Sequence, residues 1–384
     1  MSLKKTLSEP EPLAAALANR TLFETWTDPA SGVESLLLIR RIAPIQQSFY
    51  FVNSGFTDDG RYLWFYCSYP PGGDAYYGRQ LGVLDFTDQT LRHFPETQFM
   101  DASPFVDSQS GEAYWTTGLG VWKRGPKVGD KTERVGLFPA ELARRRRPLR
   151  LATHLSRSAD RKSFAIDAQI GTEWFVGDLP LDGGGFRLWQ KFDLCHNHAQ
   201  FSPTDPNLML VAQDGWIDPG TGQEGETQDR LWLIRRGETA RPLVPAAPSP
   251  AALRGHEWWD TDGRHVWYID YRAGTARVDI QTGEQTLIWP GGHTHSHCDQ
   301  AGQYLVGDIN VADDWRVAFF NITTGKEIDI VSRLPVPPLP RSAYHVHPHP
   351  RFCLNDRYIC YTTNVRGSID VALVPVSQLI GRTT

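Results

Sequence analysis

Two short runs of alternating histidines point to metal chemistry. The sequence reads HTHSHC over 293–298 and YHVHPHP over 344–350, and these runs hold six of the 12 histidines in the chain. Neutral imidazole binds manganese, iron, zinc, nickel and copper, and three or four such nitrogens leave coordination positions open for water or substrate. The spacing therefore predicts one divalent metal ion. The alternative is that these histidines are polar residues bonded to backbone and water.

Three more histidines and one arginine stand in comparable places. His196 and His198 lie in CHNHAQFSP, His256 lies in GHEWWD, and Arg230 lies in QDRLWLI. Each histidine comes shortly before a polar turn and an apolar run, which is also where the two alternating runs stand. We therefore expect elements of one repeated type to position all of these side chains.

The repeated element is a polar turn followed by a strand rich in Val, Ile, Tyr, Phe and Trp. It occurs in seven copies: 57–67, 106–118, 158–171, 202–215, 261–274, 299–309 and 354–367. A period of about fifty residues with roughly four strands per copy is typical of a β-propeller. The chain is therefore predicted to be all-β, as a seven-bladed β-propeller. A β-sandwich with a second domain is the alternative, but evenly spaced copies leave no linker between domains.

The two ends of the chain are predicted to meet. Residues 1–30 are expected to form a short N-terminal helical arm, and residues 31–384 the propeller. The strand-like run VESLLLIR at 33–40 precedes the first copy, and little follows the last copy. The N-terminal strand should thus complete the last blade and remove an exposed sheet edge.

The stretch before each polar turn is expected to be the innermost strand of its blade. Side chains alternate faces along a strand, so residues two apart point the same way. We therefore expect each run to aim three imidazoles into the central channel: His293, His295 and His297 from one blade, and His345, His347 and His349 from the next.

Composition excludes several classes of partner. A balance of 39 Lys and Arg against 44 Asp and Glu gives a net charge of −5, without the basic footprint that nucleic acid or an anionic membrane requires. The five cysteines lack CxxC spacing and are expected to be reduced thiols. No apolar run has the length of a signal peptide or a membrane span. We expect a cytoplasmic monomer or homodimer.

Several patches resemble the oligogalacturonate lyases. The similar stretches are CHNHAQFSPTDPNLMLVAQDG, DRLWLI, GHEWWDTDGRHVWYIDY, HSHCDQAGQYLVGD, and HPHPRF followed by NDRYICYTTNVRG. The family consists of cytoplasmic seven-bladed propellers with a manganese-type metal, which cleave short pectic uronides by β-elimination. The likeness runs in blade order over roughly residues 45 to 375, and HPHP is its most specific element.

The resemblance implies a set of metal ligands. By position, the family's histidine ligands fall on His295, His347 and His349, and the metal would be manganese, with iron, zinc or nickel as alternatives. The family's fourth ligand is a glutamine, and Tyr344 stands in its place here. We expect the fourth ligand to be His345, Tyr344 itself, or another inner-strand histidine such as His297; otherwise the shell is one ligand short.

The resemblance also implies catalytic residues. The family's proton-abstracting histidine maps to His256, its catalytic arginine maps to Arg230, and His198 matches a further family histidine, which we assign with Arg230 to substrate binding. Beta-elimination takes the proton next to a uronate carboxylate and expels the oxygen on C4. A metal ion and Arg230 would bind the carboxylate, and neutral His256 would take the proton. Because both metal and base need neutral imidazole, activity should fall at acid pH.

The predicted function is a metal-dependent lyase acting on a small anionic saccharide that contains uronic acid, such as an oligogalacturonate. Two alternatives remain open at this point. One is a metal-dependent hydrolase or lactonase on the same scaffold, which would need no pairing of His256 with Arg230. The other is a non-catalytic propeller that binds a ligand and uses its histidines structurally.

Overall fold

Seven antiparallel sheets follow one another along the chain, each with four or five strands. The structure is a computed structural model, and it describes residues 11–217, 220–223, 227, 229–245, 253–311, 314–337 and 339–384. The predicted seven-bladed β-propeller is confirmed.

The chain begins with three short elements and then enters the first three blades. The N-terminal elements are α1 (Glu11–Ala18), β1 (Phe23–Thr27) and β2 (Glu34–Leu38). The first blade comprises β3 (Ile45–Gln47), β4 (Tyr62–Ser68), β5 (Tyr77–Asp85) and β6 (Thr90–Met100). The second comprises β7 (Phe105–Val106), β8 (Ala113–Thr117), β9 (Gly120–Arg124) and β10 (Glu133–Leu137), followed by α2 (Ala140–Ala143). The third comprises β11 (Arg150–Leu151), β12 (Ser156–Arg157), β13 (Ser163–Ile170), β14 (Glu173–Pro180) and β15 (Arg187–Phe192).

The other four blades continue in the same order. The fourth blade comprises β16 (His196–Phe201), β17 (Leu208–Gln213), β18 (Leu231–Arg235) and β19 (Arg241–Pro242). The fifth comprises β20 (Arg254–Trp259), β21 (His265–Asp270), β22 (Gly274–Asp279) and β23 (Gln285–Pro290). The sixth comprises β24 (His293–Cys298), β25 (Tyr304–Val311), β26 (Asp314–Asn321) and β27 (Lys326–Leu334). After α3 (Arg341–Tyr344), the seventh comprises β28 (Arg351–Cys353), β29 (Tyr358–Thr363) and β30 (Asp370–Pro375), and α4 (Val376–Thr383) ends the chain.

The two ends of the chain share the seventh sheet. Its strand order is β1-β2-β30-β29-β28, and Leu36 of β2 is paired with Leu373 of β30. Helix α1 lies within the region predicted as a helical arm and buries Leu13 and Leu17 in the core. Residues 1–10 of that arm lie outside the described residues.

Aromatic and branched side chains fill the space between neighbouring sheets. Strand β4 reads YLWFYCS and is buried along its whole length, because blades pack against both of its faces. Five tryptophans are completely buried: Trp64, Trp115, Trp174, Trp267 and Trp289. All five cysteines are buried free thiols. None of the described helices is long and apolar enough to cross a membrane.

One face of the ring carries the functional groups described below. In the first blade, Ile45 at the start of β3 pairs with Ser68 at the end of β4. The turn that follows the second strand of a blade therefore lies on the face where the inner strand begins. We call this face the site face.

Candidate metal and active site

Four histidines from two adjacent blades lie together. One ring nitrogen of each lies within 4.8 Å of the others, in the set His295, His345, His347 and His349. His295 belongs to β24, and the other three precede β28. The three histidines predicted as metal ligands therefore lie beside one another, with His345 among them. We call these four residues the histidine cluster.

The second run of histidines reaches the cluster through turns and not through a strand. The seventh inner strand begins only at Arg351, so the expected strand alternation over the run is wrong. His345 and His349 have left-handed backbone angles, with φ of 48° and 45°, and their Nε2 atoms lie 3.2 Å apart. Such angles cost energy in residues other than glycine and concentrate at functional sites.

A buried carboxylate supports the cluster from behind. Asp308 of β25 is completely buried, and both of its oxygens lie 3.0 Å from Nδ1 of His295. It also accepts the backbone N–H groups of His295 at 2.8 Å and of His349 at 3.1 Å. Burial raises the pKa of Asp308 to about 7, against the effects of His347 and the two N–H groups. A cation in the cluster would favour the ionised carboxylate.

The donor set fits a divalent metal ion. Because Nδ1 of His295 faces a carboxylate, the lone pair belongs on Nε2, which is buried and has no hydrogen-bond partner among the described residues. Burial lowers the pKa of His295, His345 and His349 well below the usual value, and neighbouring imidazoles lower it further. Each is therefore neutral and can donate a lone pair. Imidazole ligands held by an outer carboxylate are the usual construction of such sites.

Two histidines of these runs lie elsewhere. A register shift between His293 and His295 turns His293 against Trp289, with ring centroids 4.1 Å apart. His297 lies farther along β24, beside Trp258 and Phe352, and does not join the cluster. The expectation that the first run aims three imidazoles at one place is therefore wrong, and only its middle histidine joins the cluster.

The candidates for a fourth ligand are separated by the same geometry. His345 belongs to the cluster, whereas Tyr344 is buried in a small apolar group with Ile45, Val346 and Ile369. His297 has no place in the cluster either. Among the described residues, His345 is thus the only one of these alternatives whose ring nitrogen joins the other three.

The predicted base lies against the cluster. The ring centroids of His256 and His295 are 4.1 Å apart, and Nδ1 of His256 lies 2.9 Å from the hydroxyl of Tyr271. Burial lowers the pKa of His256 well below its usual value, and His295 and Arg230 lower it further. The imidazole is therefore neutral at neutral pH and can accept a proton.

The predicted catalytic arginine is already held by two carboxylates. Arg230 donates Nε and Nη2 to the two oxygens of Glu257 at 3.0 and 3.2 Å, and Nη1 to Asp214 at 2.8 Å. Burial would lower the pKa of Arg230, but these carboxylates raise it instead. A guanidinium has five N–H groups, so one on Nη1 and one on Nη2 remain for a ligand.

Two further histidines, His154 and His198, lie beside each other outside the cluster. His198 lies with Nδ1 4.0 Å from Glu257, and its ring centroid is 5.4 Å from that of His154. His154 is 1% exposed, and in the part of the chain that the structure describes neither of its ring nitrogens has a hydrogen-bond partner. Burial lowers its pKa to about 3. His196 packs against Phe192 instead.

Tyr50 lies beside both groups of histidines. Its ring centroid is 5.9 Å from that of His154 and 6.4 Å from that of His198. The same centroid is 5.8 Å from that of His295 and 5.0 Å from that of His349. Three predicted site residues, His198, His295 and His349, therefore lie around one aromatic ring.

Four neighbours of the site were not identified from the sequence: Asp308, Glu257, Tyr271 and His154. Two signals were readable in principle. Asp308 stands opposite His295 when HTHSHC and YLVGDI are paired as a hairpin. Glu257 follows His256 directly on a strand expected to be innermost, and a buried carboxylate usually has a charged partner.

Comparison with known proteins supports the resemblance noted in the sequence. No family model matches the chain. The oligogalacturonate lyase of Dickeya dadantii and the oligogalacturonide lyase of Pectobacterium atrosepticum are each 26% identical over 205 residues, which cover 47% of this chain and 50% of theirs. The chain thus spans about half the length of the curated relatives it matches.

Solved structures share the whole fold. An oligogalacturonate lyase in complex with manganese matches with a TM-score of 0.73 at 18% identity, covering 92% of this chain and 96% of that one. An oligogalacturonate lyase from Vibrio parahaemolyticus matches with a TM-score of 0.73 at 17% identity over the same shares. The predicted resemblance is therefore confirmed: this chain is similar in sequence to oligogalacturonate lyases over about half its length, and it shares the fold of two of them.

Proposed function

We propose that this protein is a metal-dependent lyase that cleaves a small uronic-acid-containing oligosaccharide, such as an oligogalacturonate, by β-elimination. One observation carries the proposal: the neutral imidazole of His256 lies directly against a cluster of four potential metal ligands, 4.1 Å from His295 between ring centroids. Beta-elimination next to a carboxylate needs these two functions side by side, since the proton removed lies on the carbon that bears the carboxylate.

The proposed metal ligands are His295, His345, His347 and His349, with Asp308 orienting two of them. When bound, a divalent ion would neutralise the substrate carboxylate and make the neighbouring C–H group more acidic. We propose manganese, with iron, zinc or nickel as alternatives, because imidazole donors suit all four.

His256 is the proposed base. It is neutral, and Tyr271 holds one of its ring nitrogens. The other nitrogen would take the proton from C5 while the bond between C4 and its oxygen breaks. A positioned base of this kind contributes about 10²–10⁴-fold to the rate.

Arg230 has a narrower role than a free arginine would have. Glu257 and Asp214 together outweigh its single positive charge, so the guanidinium does not make the site electropositive by itself. Its two remaining N–H groups can donate to a substrate carboxylate or hydroxyl. The proposed anionic substrate therefore depends on the metal ion for most of its charge compensation.

His198 is proposed to contact the substrate beyond the reacting sugar. Tyr50 lies beside both His198 and the histidine cluster, so a saccharide whose carboxylate occupies the cluster would extend along the phenol ring toward His198. This placement favours a ligand of at least two sugars.

The test is an ultraviolet assay for the unsaturated uronate that β-elimination produces. Digalacturonate and trigalacturonate, with manganese supplied, should give a rising absorbance that chelator or His349→Ala abolishes. His297→Ala is the matched control, because His297 belongs to the same histidine runs and lies outside the cluster. Saccharide cleavage without absorbance would indicate the hydrolase alternative, and binding without cleavage would indicate a non-catalytic propeller.

A further inference from the structure

Tyr271 stands over the proposed base from a neighbouring turn. Its hydroxyl lies 2.9 Å from Nδ1 of His256, and the two rings meet edge to face with centroids 5.8 Å apart. Tyr271 lies between β21 and β22, so it belongs to a turn on the site face. The sequence did not predict Tyr271 as a metal ligand, as the base or as any other site residue.

Backbone bonds hold this turn in place. The N–H of Tyr271 donates to the carbonyl of Leu253 at 2.8 Å, and the N–H of Ala273 donates to the carbonyl of Asp270 at 3.0 Å. The Asp270 side chain accepts the N–H of Arg272 at 3.0 Å. Hydrogen bonds therefore fix the turn from which the Tyr271 side chain reaches His256.

Gly255 leaves the space that the phenol occupies. A Cβ atom at this position would lie 2.3 Å from the Tyr271 hydroxyl oxygen and 3.1 Å from the ring carbon that bears it. The φ angle of Gly255 is not positive, so its backbone conformation does not require glycine. The requirement is steric, and it comes from Tyr271.

The backbone at His256 departs from regular strand geometry. The pairing of β20 with β21 shifts register between Gly255 and Trp258, and His256 has a left-handed φ of 51°. Such a bulge re-aims one side chain out of the strand pattern. A hydrogen bond to the ring would then decide where the imidazole points.

We propose that Tyr271 is a positioning residue whose hydroxyl oxygen accepts the N–H of Nδ1 of His256, so that the lone pair of the neutral imidazole remains on Nε2. This inference rests on the proposed function of His256 as the base. The tautomer of a histidine is set by the partner of its other ring nitrogen. Opposite donation, from the hydroxyl to Nδ1, would place the proton on Nε2 and leave that atom unable to accept another.

The first experiment measures the tautomer without any substrate. The full-length, metal-free protein is labelled with ¹⁵N-histidine, and His256 is assigned by comparison with His256→Gln. The parent should show a protonated Nδ1, and Tyr271→Phe should shift the ring toward a protonated Nε2 or a mixture. Gly255→Ala should have the same effect, since its Cβ displaces the phenol. A protonated Nε2 in the parent, or an unchanged tautomer in both variants, overturns the proposal.

The second experiment measures kinetics with the uronide that the lyase assay identifies. Tyr271→Phe should lower kcat by about 10–100-fold, by analogy with the loss of the outer partner of a metal-ligating histidine, with KM within about twofold. Gly255→Ala should do the same, and the double variant should cost about as much as either single change, because both remove one contact. Tyr77→Phe is the matched control, an exposed tyrosine on the site face.

The two experiments fail separately. If no uronide is cleaved, the proposed function fails, and the tautomer measurement still decides whether Tyr271 orients His256. If a uronide is cleaved and Tyr271→Phe keeps the parental kcat, the inference fails and the lyase function stands.

Discussion

Replacing Asp308 with asparagine should weaken metal binding without removing any metal ligand. The carboxylate accepts the backbone N–H groups of His295 and His349 and also faces Nδ1 of His295, all within 3.1 Å. An amide of the same shape offers one acceptor oxygen where the carboxylate offers two. In either orientation it therefore leaves one backbone N–H facing an NH₂ group, and that NH₂ group can also push the proton of His295 onto Nε2.

Both outcomes have a predictable size. Loss of an outer carboxylate behind a ligating histidine costs about 10–100-fold in metal affinity, which corresponds to about 1.4–2.7 kcal/mol. One buried N–H left without a partner costs a further ~1–3 kcal/mol of folding stability. We therefore expect Asp308→Asn to bind manganese about 10–100-fold more weakly and to unfold at lower denaturant concentration.

The assay is a calorimetric titration with manganese, paired with denaturant unfolding of the metal-free protein. Asp28→Asn is the matched control: Asp28 is 1% exposed and accepts backbone N–H groups from Ser31 and Ser332, far along the chain from the cluster. The control should lose stability and keep its metal affinity. Parental manganese affinity in Asp308→Asn would refute the reasoning about outer support.

Three further changes test other parts of the site. His256→Ala should leave manganese affinity intact and lower turnover by about 100-fold or more, as followed by the absorbance of the unsaturated uronate; near-parental turnover would exclude His256 as the base. Arg230→Lys should raise KM and lower kcat in the same assay. Arg230→Ala should also destabilise the fold by about 3–5 kcal/mol, because Glu257 loses its buried partner. An unchanged free energy of unfolding in Arg230→Ala would contradict that pairing. Hydrogen bonds from Ser332 and Ser31 hold the pKa of Asp28 below its usual value although burial raises it. This stabilisation is present above about pH 4 and is lost as pH falls through the lower folded pKa, so acid unfolding of Asp28→Asn should depend less on pH than that of the parent.

The repeat was sufficient to predict the ring, because each copy encodes the same hairpin and seven copies leave few other architectures. The helical start at α1 also lies where the sequence predicts it. What the repeat could not reveal is local register. A shift of one residue between His293 and His295 sends neighbouring histidines to different places, and no feature of HTHSHC records it.

Contacts across strands explain the remaining differences. The sequence predicts that Arg230 is available to a substrate carboxylate. In the structure, Glu257 of the next blade already accepts hydrogen bonds from its Nε and Nη2 atoms. Tyr271 and Asp308 act through pairings between separate strands and turns. Such partners become visible only when the blades are placed beside one another, whereas ligands repeated along one run are visible in the sequence itself.

The shared seventh sheet has a consequence for the order of synthesis. The ring closes only when β2, which is made before the first blade, meets β30 of the seventh blade. Three of the four clustered histidines precede β28 in this same seventh blade. A chain whose synthesis has reached only the sixth blade therefore holds His295 alone of the four, and it can hold no complete metal site until the segment before β28 has been made. Metal capture by this protein would accordingly require that synthesis has reached the seventh blade.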